Sequence, residues 1–308
     1  MNNIPNFLIV SGGRSGTTSL YHYLSEHPEI YMSPNKEPYF LTGLDFNSFI
    51  NTPGFFLKKL WVKDLKTYKQ LFDKVSNEKL IGEASVSYLY YYKETIPNIK
   101  KYLGDPKIII ILRNPAERAF SHYLHNVQNN LEKLKFEDAI LEEKERILKN
   151  WWWGFHYKNA GYYLKPIIAY KENFSRIRIF FFDDFKSNFF SVFREMLLFL
   201  QVDADFKPDN LRVYNASEFY KFGLQKILKN KITRFISHMT HLKMPKFLRD
   251  NLKREIHHSP SVLLNNLRNE YKNEINHLEL YLNANLDRWY ESDKFLERKS
   301  SDNQRGIQ

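Results

Sequence analysis

The stretch Ser11-Gly12-Gly13-Arg14-Ser15-Gly16-Thr17-Thr18-Ser19 places three glycines and an arginine among the hydroxyls of Ser15, Thr17, Thr18 and Ser19. It follows a short apolar run, Phe7–Val10, and precedes a segment in which Leu20, Tyr23 and Leu24 share one helical face. A strand that ends in glycines and enters a helix presents backbone N–H groups with no intrahelical partner, and the helix start adds about half a unit of positive charge. Such a turn is an anion site. A second candidate is "LRNPAERAFSHY", where Arg113 follows the apolar run Lys107–Leu112. Asn114 can cap and Pro115 can open the next helix, with Asn114, Arg118 and Ser121 on one face.

Spacing separates the possible ligands of the first loop. A Walker A loop would need Gly at 11 and Lys at 17, where the chain has Ser11 and Thr17. The strand ending at Arg113 also lacks the acid that a metal-dependent triphosphatase needs there. A dinucleotide loop would place glycines at 11, 13 and 16 and fails at Ser11; Glu37, about 20 residues on, lies between two prolines and not at a strand end.

The loop resembles the 5′-phosphosulfate motif of sulfotransferases that use 3′-phosphoadenosine 5′-phosphosulfate (PAPS), with Arg14 where that family usually has Lys. "RNPAERAFSHY" is similar to the family's 3′-phosphate motif, R-[DN]-P-x-x-R-x-x-S-x-Y, at every marked position, and the two motifs lie about 100 residues apart as in the family. The resemblance implies a P-loop-NTPase-like fold, PAPS as sulfuryl donor and PAP as product. It implies that Arg14, Ser15, Gly16, Thr17, Thr18 and Ser19 hold the 5′ side, that Arg113 and Ser121 hold the 3′-phosphate, and that Tyr162 approaches the nucleotide. "PNKEPYFL" resembles the segment carrying the catalytic glutamate of heparan-sulfate-type and bacterial members, which makes Glu37 the general base and Arg14 the group that steadies the leaving phosphate. Glu83 is the alternative carboxylate, expected to shape the acceptor site; Ala84 follows it where relatives often carry Lys. No metal is expected.

The elements that must position these residues are visible in the pattern. Apolar runs at Phe7–Val10, Glu29–Met32, Lys79–Ile81, Lys107–Leu112 and Arg176–Phe182 alternate with helical spacing, which predicts an α/β fold of three layers, a central parallel sheet between helices. Leu131–Asn150 predicts one charged helix with a solvated face. In "NWWWGF" three successive tryptophans cannot share one core, so at least one is expected to line a pocket or cover a loop.

The 308 residues suit one domain, 1–297, with a basic helical insertion at about 221–258 and a tail at 298–308. That insertion carries ten Lys/Arg against two acids, most of the net +11, and implies an anionic partner. Cysteine is absent, which excludes disulfides and thiolate metal sites. No apolar run approaches a membrane span, so the expected location is cytoplasmic, with possible peripheral membrane contact through 221–258. The acceptor implied by the resemblance is a carbohydrate, glycolipid or small molecule bearing a hydroxyl or amine, and nucleic acid is not expected. The competing reading is a basic nucleic-acid- or membrane-binding protein of the same fold without catalysis.

Overall fold

The structure, a computed structural model, describes residues 3–53, 61–209 and 260–290. The expected basic insertion at 221–258 and the tail at 298–308 lie outside them.

Five parallel strands form one sheet: β1 (Phe7–Ser11), β2 (Ile30–Met32), β3 (Leu80–Ser85), β4 (Lys107–Leu112) and β5 (Ile177–Phe181), in the order β2-β3-β1-β4-β5. β1 and β4 are buried along their whole length, as a parallel sheet covered on both faces requires. Alternation then sorts their side chains. Leu8, Val10, Ile108, Ile110 and Leu112 enter a core shared with Ala116, Ala119, Ile167 and Tyr271, while Phe7, Ile9, Ile109 and Ile111 enter one shared with Leu20, Leu24, Phe193 and Met196. A third, smaller cluster of Tyr39, Phe46, Phe49, Val86, Trp152 and Trp153 stands apart from both.

This strand order sets the position of the site. The chain moves from β1 outward through β2 and β3, then crosses to β4 on the opposite flank of β1. β1 and β4 therefore border the switch point, outside whose carboxyl ends open α/β sheets bind ligands. The two strands are in register up to Ser11 and Ile111, and the Ser11 hydroxyl donates to the Ile111 carbonyl at 2.8 Å. Each strand end leads directly into one of the two anion motifs.

One expectation needs correction. Leu131–Asn150 forms two short helices, Phe136–Leu141 and Glu143–Leu148, and its charges are not all solvated. Glu132, Glu143 and Arg146 are buried. Arg146 clamps Glu132 through Nη1 at 2.7 Å and Nη2 at 3.1 Å, and the Glu143 carboxylate accepts the backbone N–H groups of Lys158 and Asn159. Burial of charge was acceptable here because each group found its partner.

Candidate active site

The first loop is shaped by two left-handed residues, Arg14 at φ 71° and Gly16 at φ 80°. Gly16 caps the helix Thr17–Ser25, whose start carries no side-chain cap and no acid in its first turn. A helix start of this kind carries a partial positive charge. Two close approaches explain the glycines. A Cβ on Gly16 would sit 2.8 Å from the Phe182 ring, and one on Gly13 would sit 2.7 Å from Trp153. The Ser15 hydroxyl is spent within the loop, donating to the Gly12 carbonyl at 2.7 Å, so it braces the turn.

The second motif folds as its residues predict. Asn114 caps the helix Pro115–Gln128 by accepting from the N–H groups of Ala116 and Glu117, and Pro115 opens it. The cap is itself held, because Asn114 Nδ2 donates to the Trp289 carbonyl at 3.0 Å. Arg118 faces inward, fully buried, and its guanidinium donates to the Tyr157 carbonyl, so this arginine fastens the helix instead of facing a ligand.

The motifs meet. Arg113 Nη1 donates to the Arg14 carbonyl at 3.0 Å, and Arg14 Nε donates to Ser121 Oγ at 3.3 Å. Arg113 also lies over the Phe182 ring and pairs with Glu117 at 3.2 Å. Among the described residues no carboxylate pairs with Arg14. Burial and the neighbouring Arg113 both lower the pKa of Arg14. Two arginines drawn together with one of them lacking a counter-ion mark a place that an anion would stabilise.

Both motifs line a cavity of about 870 Å³ together with Glu37. Glu37 and Tyr39 lie in a loop with φ of 69° and 60°, conformations uncommon for residues with a Cβ. The loop is pinned by Glu37 N–H donating to the Ala84 carbonyl at the end of β3. The Glu37 carboxylate is ion-paired with Lys36 at 2.9 Å and accepts the Tyr39 hydroxyl at 2.5 Å. Burial, with the Glu37 charge and hydrogen bond adding to it, holds Tyr39 in its protonated, donating form.

Several lining residues escape sequence reasoning. His122 and His125 project from the Arg113 helix; burial, reinforced by Arg118 and Arg14, pushes the His122 imidazole well below its usual value, while burial and Arg14 lower that of His125 against the opposing charge of Glu37. Lys186 reaches the cavity from the helix Phe182–Ser187, and Trp152 and Trp153 line it as the tryptophan run suggested. Only the helical spacing after Ser121 could have pointed to His125.

Two expected residues sit elsewhere. Tyr162 is exposed, leans on the Tyr271 ring and is not among the residues lining the cavity; its neighbour Tyr163 turns inward and donates to the Arg113 carbonyl at 3.0 Å. Glu83 does not shape the cavity. It is fully buried in β3 and accepts the hydroxyls of Tyr68, Tyr88 and Ser85, because an inward-facing acid on a central strand can be satisfied only from within the core.

Fold and site together define an α/β protein with a P-loop-like fold, in which the two motifs meet at the switch point of a parallel sheet. The chain belongs to the sulfotransferase family, whose sequence model matches residues 5–205. A solved sulfotransferase from Alicyclobacillus acidocaldarius superposes with a TM-score of 0.70 at 30% identity, covering 94% of this chain and 99% of that one. Curated relatives include the membrane-associated sulfotransferase kil1 of Dictyostelium discoideum, 32% identical over 47% of this chain and 29% of that protein. Carbohydrate sulfotransferase 15 of Mus musculus is 27% identical over 45% of this chain and 30% of its own length. The bifunctional heparan sulfate N-deacetylase/N-sulfotransferase 2 of Homo sapiens is 32% identical over 40% and 13%. The chain thus spans less than a third of the length of each of these curated relatives.

Proposed function

We propose that the protein is an enzyme that transfers a sulfuryl group from PAPS to a hydroxyl, or an amine, of a carbohydrate-like acceptor. The observation that carries this reading is the junction of Arg14, Ser121 and Arg113 at the ends of two adjacent strands, on the wall of the cavity that also contains Glu37. The residues fit a nucleotide with phosphates at both ends. Backbone N–H groups and one cation, Arg14, stand in the loop after β1, a second cation, Arg113, follows β4, a hydroxyl, Ser121, stands on the next helix, and the cavity is within the size range of small-molecule sites, about 300–1,000 Å³.

When bound, PAPS supplies the sulfuryl group and a phosphate leaving group. In this reading the loop amides, Thr17, Thr18 and Ser19 hold the 5′ side, while Arg113 and Ser121 hold the 3′-phosphate. Arg14 places its charge where negative charge grows on the leaving phosphate. Glu37 takes the proton from the attacking hydroxyl, a role that contributes about 10²- to 10⁴-fold. Lys36 and Tyr39 fix the direction of its carboxylate. Among the described residues no group of three or more His, Asp or Glu is placed to hold a metal ion, and the roles above call on none. The kinship with carbohydrate sulfotransferases supports a carbohydrate acceptor. Membrane contact through 221–258 and a cytoplasmic location are part of the same proposal.

Calorimetry with PAP tests the donor side. Micromolar binding of PAP with much weaker binding of ATP is expected. Tight binding of ATP or polyanions with none of PAP would overturn the reading.

A further inference from the structure

We infer that Glu117 is a built-in rival of the nucleotide's 3′-phosphate for Arg113, turning to Lys186 when displaced, and so sets how firmly the product PAP is held; this rests on the sulfotransferase reading above. The two anion motifs open their helices in opposite ways. The helix Thr17–Ser25 has no acid in its first turn, whereas the helix Pro115–Gln128 carries Glu117 there. An acid in the first turn stabilises a helix, and the same charge opposes an anion that arrives at that end. Glu117 Oε2 stands 3.2 Å from Arg113 Nη2, with both side chains largely shielded from water.

The donors of Arg113 define the competition. Nη1 is committed to the Arg14 carbonyl at 3.0 Å. Nη2 serves Glu117, and Nε is buried with no hydrogen-bond partner among the described residues. The planar fork of an arginine grips a phosphate best through two parallel hydrogen bonds. Glu117 makes only one of the two that the Nε–Nη2 edge offers, so a phosphate that takes both replaces it. Two negative groups crowded onto one guanidinium also repel each other, which drives the carboxylate away. A nucleotide without a 3′-phosphate leaves the Arg113–Glu117 pair intact and meets no such rival.

The displaced carboxylate has a second partner at hand. Lys186 Nζ lies 4.0 Å from the same Glu117 oxygen, and Arg113 and Lys186 both lie over the Phe182 ring, 5.0 and 4.7 Å from its centroid. The other acid near Lys186, Asp183 at 3.5 Å, is shared with Arg288 at 3.9 Å and accepts the Trp289 indole N–H at 3.0 Å. Lys186 is therefore free to exchange one carboxylate for the other, and Glu117 moves between two cations on one cavity wall.

Calorimetry on the full chain tests this with PAP and adenosine 5′-phosphate (AMP), which differ only in the 3′-phosphate. If the parent protein does not bind PAP, the sulfotransferase reading fails and this inference with it; once PAP binds, the variants judge the inference alone. Glu117→Gln keeps the shape of the side chain and removes its charge. It should tighten PAP by about tenfold, ~1.4 kcal/mol, and change AMP by less than about threefold. Stopped-flow measurements should show the gain mainly as slower release of PAP. Unchanged or weaker PAP binding, or an equal gain for AMP, overturns the inference. A shift in melting temperature with unchanged Kd values would mean that Glu117 serves only the helix start, and overturns it too. Lys186→Met removes the second partner of the carboxylate. It should weaken PAP by about fivefold in the parent and by less than about twofold beside Glu117→Gln, because the two residues act through one contact. An equal loss in both backgrounds would place Lys186 on the nucleotide itself and would overturn the inference.

Discussion

The guanidinium of Arg113 donates from Nη1 to the backbone carbonyl of Arg14 at 3.0 Å, tying the end of β4 to the loop that follows β1. Arg113 thus has two tasks in the proposed reaction, to hold the 3′-phosphate and to brace the loop that holds the 5′ side. Arg113→Ala should lower PAP affinity by about 10- to 100-fold, the range of a lost charge-assisted hydrogen bond of about 1.5–3 kcal/mol. Adenosine 5′-phosphosulfate, which has no 3′-phosphate, should lose less but more than nothing. Titrations of both ligands check this; equal losses would mean that Arg113 serves the loop alone.

Arg14 differs in kind, since it has no carboxylate partner among the described residues and sits beside a like charge. Its charge is expected to matter most when the phosphate leaves. Arg14→Ala should cut kcat by about 10²- to 10³-fold, the loss typical of one missing oxyanion donor. Arg14→Lys should recover most of that loss while forfeiting the bond from Nε to Ser121. If lysine performs no better than alanine, the planar fork and not the charge is what the site needs.

The positions of these two arginines were legible in the sequence because they are set locally: glycines, a cap and a strand end define where they stand. β4 is Lys107–Leu112 as its apolar run predicts, and Asn114 caps as its type and position predict. Legibility stopped where a residue's fate depends on a distant partner. Glu143 looked like a solvated helix acid, and only the N–H groups of Lys158 and Asn159, 15 and 16 residues away, bury it. Tyr162 and Tyr163 are equivalent in pattern, and the Arg113 carbonyl decides which of them turns inward. Lys186, His122 and Trp152 converge on the cavity from separate elements, so no spacing rule could have gathered them.

Glu37 is the proposed base, and its geometry allows binding to be separated from turnover. The carboxylate is held by Lys36 and Tyr39 on the loop beyond β2, whereas the two phosphate motifs lie at the ends of β1 and β4. Glu37→Gln should keep PAP affinity within about threefold, ~0.65 kcal/mol, while losing about 10²- to 10⁴-fold in kcat. Full activity in this variant would move the base elsewhere, with His125, whose pKa burial lowers, on the same cavity wall as the next candidate.

The buried Glu83 makes stability depend on pH in a direction opposite to that of a surface-paired acid. Burial pushes its carboxyl up to about 6, against hydrogen bonds from Tyr68, Tyr88 and Ser85 that pull it down. In the unfolded chain the same group titrates near 4.5. Below that pH it is protonated in both states and its contribution is fully present. Between about 4.5 and 6 the folded form binds more protons than the unfolded form, so stability falls as pH rises; above 6 the loss is complete, on the order of 2 kcal/mol. Glu83→Gln carries no titrating proton and still offers one acceptor oxygen to the tyrosines. Its melting temperature relative to the parent protein should therefore rise between pH 4.5 and pH 7, whatever the constant offset from rearranged hydrogen bonds. Thermal unfolding of both proteins across that range checks the prediction, and parallel curves would show that the Glu83 carboxyl titrates alike in the folded and unfolded states.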